Sequence, residues 1–408
     1  MGYFKQTIIG ISWMSAFRIS SRFITFIRVI ILARLLTPGQ FGIFGIATLV
    51  LALLEILTET GINVFLIQEN KKLEFYVNDA WFVSIIRGLI LSLLIILLAP
   101  FIVTFFSSPD AYRILYLISL VPLIRGFINP SIVKYQKDLL FNKEFYLRIS
   151  IFAVDSFVAI ILAIMTHDAI SFVWGLIAGS ILETIISFLF IRPLPKISFN
   201  FNIIGKIIHS GKWVTLFGIF NYFAQEGDNI VVGRVLGTSP LGIYQMGYKL
   251  STIPISEISD VVNKVVFPVY TRIKEDKKRL KKAFFKTSLI ISVAVFILSA
   301  IIFFLPKELI IFVLGSKWAQ VALILKVLAI YGFLRAITGT TASLFLSVGK
   351  QNYVAMFTFI RFLTLAITIV PLTLHFGIIG AAFSALLSVL LELPLIIYFL
   401  FKVFSKNE

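Results

Sequence analysis

Cysteine is missing from all 408 residues, and histidine occurs only at His167, His209 and His375. Disulfides and thiolate metal sites are thereby excluded. Three scattered imidazoles build neither a zinc nor a haem constellation, so no cofactor is called for. Acids are scarce as well, 20 against 37 Lys and Arg, for a net charge of +17. Catalytic patterns are absent: there is no phosphate-cradling Gly loop with Lys, no His-Glu metal spacing and no nucleophile elbow. Without a P-loop, ATP drive within the chain is excluded. Long polar loops are lacking too. The longest outer connection expected, "PKELIIFVLGSKWAQ", is itself mostly apolar. A membrane enzyme joining glycan donor to acceptor needs more extramembrane chain than that, so an enzyme is not expected.

What the chain has in abundance is apolar residues: 59% hydrophobic, with a mean hydropathy of +0.99. That is an integral membrane protein, not a water-soluble domain. Twelve spans are expected, at roughly 8–33, 40–66, 78–102, 110–133, 146–165, 170–191, 212–236, 241–268, 284–304, 319–346, 353–374 and 378–401. The first is no signal peptide: it is too long, holds three Arg and lacks a small-residue cleavage site. With the N-terminus inside, the inner segments hold most of the Lys and Arg that lie outside the spans, and the outer segments hold few. This asymmetry explains the basic charge as membrane topology, not nucleic-acid binding, and places both termini in the cytoplasm.

The chain repeats itself at half its length. A slide of 200 puts Trp13 on Trp213, Ala33-Arg34 on Gly233-Arg234, and Gly42-Ile43-Phe44 on Gly242-Ile243-Tyr244. Arg125 after "VPLI" matches Arg335 after "YGFL", and the Gly/Ala/Ser-rich helices carrying Glu183 and Glu392 correspond. Six spans per half make both halves enter in one direction, with a pseudo-axis along the membrane normal and a cleft between lobes. The expected fold is therefore all-α: two pseudo-symmetric six-helix lobes around a central cavity. The lobes are residues 1–195 and 212–408. Between them, 196–211 reads as an interfacial linker helix, with Phe199, Phe201, Ile203, Ile204, Ile207 and Ile208 beside Lys206 and His209. The charge run "TRIKEDKKRLKK" (271–282) reads either as an anchor on anionic lipid or as a cytoplasmic mouth for an anionic headgroup.

The many cations and acids inside spans cannot all face lipid, because each costs roughly 2.5–3.5 kcal/mol at a helix centre. They line a wet cavity or pair with each other. Arg18 and Arg22 project from one face of the first helix, and their repeat partners are Gly218 and Tyr222, so the fold does not require them. They read as substrate-binding cations or as partners of Glu55 and Glu59. Arg87 and Arg125 extend the patch, and Arg335 and Arg361 supply cations in the second half. Glu226 and Asp228 are the candidate coupling-ion acids, with ion pairing to Lys249 or Arg234 as the alternative. Lys249, Glu257, Asp260 and Lys264 share about 80° of one helix face. Arg34 and Arg234 read as snorkelling residues or caps at helix C-termini.

Two stretches resemble a known family. "ARLLTPGQFGIFGIA" (33–47) is similar to the first-hairpin signature of the polysaccharide transporter family, the O-antigen and exopolysaccharide flippases. "LGIYQMGYKLSTIPISEISDVVNKVVFPVYTRIKEDKKRL" (241–280) resembles that family's eighth helix, through Tyr244, Lys249-Leu250, Pro254-Ile255 and Phe267-Pro268. The family lies within the multidrug/oligosaccharidyl-lipid/polysaccharide exporter superfamily. The resemblance implies a bacterial inner-membrane flippase of undecaprenyl-diphosphate-linked oligosaccharide, working among membrane lipids and polysaccharide polymerase or assembly proteins. It also implies a basic cavity, with Arg18, Arg22, Arg87 and Arg125 as equivalents by position. Many relatives carry fourteen helices; twelve leave the two-lobed core intact. The competing readings are an ion-coupled exporter of small molecules and a membrane glycan polymerase or ligase.

Overall fold

A computed structural model describes residues 3–69, 72–197 and 200–405, excepting side chains at 3–9, 11, 201–202, 206–214, 216–217, 253–254, 256–261 and 264. The roles expected of Phe199, Lys206, His209, Trp213, Pro254, Glu257, Asp260 and Lys264 therefore lie outside the described residues. Among the described residues the fold is helical throughout.

The first stretch runs α1 (Tyr3–Leu35), α2 (Pro38–Leu57), α3 (Ile62–Gln68), α4 (Val77–Phe106), α5 (Ala111–Ile118), α6 (Leu120–Gly126), α7 (Lys134–Lys137), α8 (Phe141–Thr166) and α9 (Ile170–Phe190). There follow α10 (Phe201–Leu236), α11 (Thr238–Ile273), α12 (Lys277–Phe304), α13 (Pro306–Val313), α14 (Val321–Ser347) and α15 (Gln351–Ser405). Seven of these, among the described residues, are long and apolar enough to cross a membrane, or eight if the bent pair 111–126 and 130–137 is one span. The protein is a multi-pass membrane protein. Each of the twelve expected spans falls on helix, but the second and fourth are broken. The second stops at Leu57 and resumes at Ile62 after Gly61 takes φ +66°, and the fourth is interrupted at Asn129-Pro130. α15 carries the last two spans and turns at Gly377, where φ is 61° and ψ −141°.

The hairpin "ARLLTPGQFGIF" folds for local reasons. Thr37 and Gln40 form a reciprocal capping box, with Pro38 in the first turn, and so satisfy the opening N–H groups of α2. Gln40 Nε2 also donates to His167 O at 2.6 Å, tying the start of α2 to the end of α8. The second copy has no such box and enters α11 through Gly237 at φ +89°.

The chain divides into two compact units, Met1–Glu226 and Gly227–Glu408. In the first, Ala47, Leu51 and Leu54 of α2 meet Leu91, Ile95 and Ala99 of α4, Ile114, Leu115 and Ile118 of α5, and Val173 and Ile177 of α9 in one core. α4 and α6 touch at Gly88 and Gly126. A Cβ on Gly88 would lie 2.5 Å from Pro122 O, so only glycine permits that approach. α10 through Glu226 also belongs to this unit and lies along α2. Tyr222 donates to Leu49 O at 2.8 Å, Thr215 donates to Glu59 O at 2.9 Å, and Gly218 lies against Ile56.

The connector expected to lie on the inner leaflet is held by protein. Lys196 N donates to Asn78 Oδ1 and Asn200 N to Asp79 Oδ1, while Ile203 and Ile204 pack on the cluster of Ile62, Leu73, Tyr76, Val83 and Val133. From Phe201 it continues unbroken into α10.

In the second unit α14 is central, packed by α11, α12 and α15. The charge run 271–282 is mostly helical, with a short turn from Lys274 to Asp276. Asp276 caps α12 by accepting from Arg279 N at 2.9 Å, and Lys277, Lys278, Arg279, Lys281 and Lys282 fill its opening turns. Cations are disfavoured at a helix N-terminus, so a basic cluster there is suited to meeting external anions.

Candidate substrate site

The charged side chains within the first unit form a network with two levels of accessibility. At its accessible end stand Glu55 and Glu59. Glu55 is on the last turn of α2. Glu59 follows the helix, where the break at Thr58–Gly61 turns the chain and Glu59 Oε1 accepts from Gly61 N at 2.9 Å. Arg87 of α4 reaches this break from the side. Its Nη2 lies 3.1 Å from Glu59 Oε2 and donates to Glu55 O at 2.7 Å, and its Nε donates to Thr58 Oγ1 at 3.3 Å. Arg125 of α6 pairs with Glu55 Oε1 at 3.2 Å. All four side chains stay open, at 24% and 36% exposure for Arg87 and Glu59, and 41% and 33% for Arg125 and Glu55.

Deeper in the unit, Arg28 Nη1 of α1 meets Asp155 Oδ2 of α8 at 2.7 Å, with side chains only 13% and 11% exposed. Arg28 also lies over the Phe172 ring, 5.9 Å from its centroid. Asp155 Oδ1 is buried without a hydrogen-bond partner, pressed against α9 where a Cβ on Gly175 would collide with it. Glu183 of α9 lies within electrostatic reach of Arg125 and Arg148, and Arg148 in turn pairs with Glu144 at 2.8 Å.

The sequence left Arg18 and Arg22 as either substrate-binding cations or partners of Glu55 and Glu59; the ion pairs seen at these carboxylates are with Arg125 and Arg87 of the proposed substrate patch. Arg18 is half-buried and Arg22 exposed on α1, both with interactions of their own. Arg28, Asp155 and Arg148 were not singled out by the sequence. Arg28 and Asp155 are 127 positions apart, with no local pattern joining them.

In the second unit, Arg361 Nη1 lies 3.4 Å from Glu392 Oε2, and Glu392 is fully buried. Arg335 lies within electrostatic reach of the same carboxylate and beside Tyr331 and Tyr248, yet keeps more than a third of its surface accessible. The Tyr248 and Tyr331 hydroxyls are 3.1 Å apart. Tyr244 donates to Asp228 Oδ2 at 2.8 Å, and Asp228 Oδ1 accepts from Asn229 N. Asp228 is buried and Glu226 half-buried. Arg34 and Arg234 are exposed at the ends of α1 and α10.

The internal repeat reappears as chemistry. In each unit the Arg of the fourth expected span lies within reach of the Glu of the sixth: Arg125 with Glu183, and Arg335 with Glu392. A separate groove of about 520 Å³, lined by Arg113, Tyr116, Leu117, Ile170 and Trp174, includes none of these residues.

Helices of membrane-spanning length that hold charged pairs among the described residues define a helical membrane bundle. The chain belongs to the family described as polysaccharide biosynthesis protein, which it matches over residues 31–323. It is similar to an uncharacterized membrane protein in the cps region of Klebsiella pneumoniae, 27% identical over 98% of this chain and 84% of that one. It is similar also to the lipopolysaccharide biosynthesis protein WzxC of Escherichia coli K12, 21% identical over 85% and 71%. Among solved structures, the lipid II flippase MurJ in an inward closed conformation shares the fold. The TM-score is 0.75 at 16% identity, covering 96% of this chain and 89% of that one.

Proposed function

We propose that the protein flips a lipid-linked oligosaccharide, carried on undecaprenyl diphosphate, from the cytoplasmic to the outer leaflet for surface polysaccharide synthesis. The observation that carries this reading is the accessible pair Arg87 and Arg125 at the broken end of α2, in a chain of the polysaccharide biosynthesis family. Each sugar hydroxyl stripped of water without a partner costs roughly 2–7 kcal/mol, so a glycan does not cross hydrocarbon alone. Guanidinium forks suit phosphate oxygens, and Tyr, Asn and Ser hydroxyls and amides replace lost water around sugar. Moving an anion outward under an inside-negative potential gains about 2.3 kcal/mol per charge per 100 mV.

In this reading twelve spans form two six-helix lobes, 1–195 and 212–408, joined through 196–211 and working by alternating access around a central cavity. Substrate meets Arg18, Arg22, Arg87 and Arg125 in the first half and Arg335 and Arg361 in the second. Glu226 and Asp228 serve the coupling ion. The protein sits in the bacterial inner membrane with both termini cytoplasmic, beside polymerase and assembly proteins, and carries out no covalent chemistry. Deleting the gene should make lipid-linked oligosaccharide accumulate facing the cytoplasm and deplete surface polysaccharide. A normal lipid-linked pool with normal surface polysaccharide would refute the proposal. A small-molecule exporter would instead depend more on Glu226 than on Arg87 and Arg125, so Glu226→Gln would be the more damaging change.

A further inference from the structure

We infer that Glu55 and Glu59 are resident counter-ions standing where the substrate's diphosphate goes, and that cargo loads by anion exchange on Arg87 and Arg125. The inference rests on the function proposed above and adds how that site is regulated.

Two observations carry it. First, accessibility separates these pairs from the others. Arg28–Asp155 is short and nearly closed, and Glu392 is fully buried, whereas all four members of the Glu55–Glu59 set remain open to an incoming ligand. Second, these contacts are weak in form. Glu59 gives Arg87 one oxygen at 3.1 Å and Glu55 gives Arg125 one at 3.2 Å, neither the forked pairing of which Arg is capable. Partly exposed single contacts contribute little, so a dianion with more oxygens outcompetes them.

The device answers a physical need. Two bare guanidiniums in an empty membrane site would be costly, and the carboxylates neutralise them until cargo arrives. They also act as a filter. A phospholipid with a single phosphate replaces one carboxylate and leaves the other in place; a diphosphate replaces both. On release the carboxylates return to the cations and help to expel the anion.

The test uses the full chain in nanodiscs, with inorganic pyrophosphate and farnesyl diphosphate as probes in binding titrations. Each of Glu55→Gln and Glu59→Gln should tighten binding up to about fivefold, and the double variant by tenfold or more, matching removal of one or two partly exposed pairs. Arg87→Ala and Arg125→Ala should weaken it by at least tenfold. In transport assays the Gln variants should lower KM and kcat together, because product leaves more slowly. Thermal unfolding checks that each variant is folded, and either single Gln variant carries the comparison if the double fails. If the Arg variants lose binding while folded Gln variants bind no tighter than wild type, the exchange is refuted and the proposed function survives. If wild type binds the probes no better than the Arg variants, both fall.

Discussion

At the scale of single residues, the ion pairs of the first unit divide into fixed and exchangeable, and burial decides which is which. Arg28–Asp155 is fixed: removing one partner strands the other charge in a site with almost no solvent. Asp155→Leu should therefore cost about 3–5 kcal/mol, read as a drop in unfolding temperature in detergent. Adding Arg28→Met should recover most of that loss, since a buried pair exchanged for apolar residues is close to neutral. By contrast Arg87→Ala and Arg125→Ala should each cost at most about 1 kcal/mol in stability, as for other partly exposed pairs, while abolishing most transport. A substitution that stops transport and spares folding marks a binding residue. The sequence made half of this readable. The sequence offered Glu55 and Glu59 as partners for intramembrane arginines, because charges inside a span need a partner or water. It could not say which cations, because the break after Leu57 turns Glu59 toward α4, and the partners come from helices far along the chain.

At the scale of elements, glycine marks the places where the helices depart from regular packing. Gly377 holds a backbone conformation with positive φ and negative ψ that is close to glycine-only, and it divides the 55 residues of α15 into two spans. Gly377→Ala should destabilise the protein by about 1–3 kcal/mol through strain alone, measurable by thermal unfolding. The two prolines within α15, Pro371 and Pro394, do not break it. Gly88→Ala should push α4 from α6 and shift Arg87, one residue away, relative to the end of α2. The expected signature is a stability loss of about 1–3 kcal/mol with weakened pyrophosphate binding. The apolar runs made nearly every long helix legible. The break at Thr58–Gly61 was not, since it sits inside a stretch apolar enough to read as continuous; the break at Asn129-Pro130 falls at a proline, where a kink was readable.

At the scale of the whole molecule, the repeat was the most informative feature of the sequence. It survives as a shared charge relation, Arg125 with Glu183 and Arg335 with Glu392, although the flanking sequences have diverged. The duplicated hairpin was legible because its turns need particular residues. The connector was less so: its apolar face suggested lipid, but Ile203 and Ile204 pack on the first unit's own core, and composition cannot tell lipid from protein. Function entered through the charges, since a bundle this apolar has no reason to hold open guanidiniums except to meet an anion. The most direct measurement is flipping by the purified protein in vesicles loaded with a fluorescent, short-chain polyprenyl-diphosphate oligosaccharide. Wild type should move the lipid between leaflets, and the folded Arg87→Ala/Arg125→Ala double variant should not. Equal flipping by both, or none by wild type under a membrane potential or an imposed proton or sodium gradient, would contradict the account.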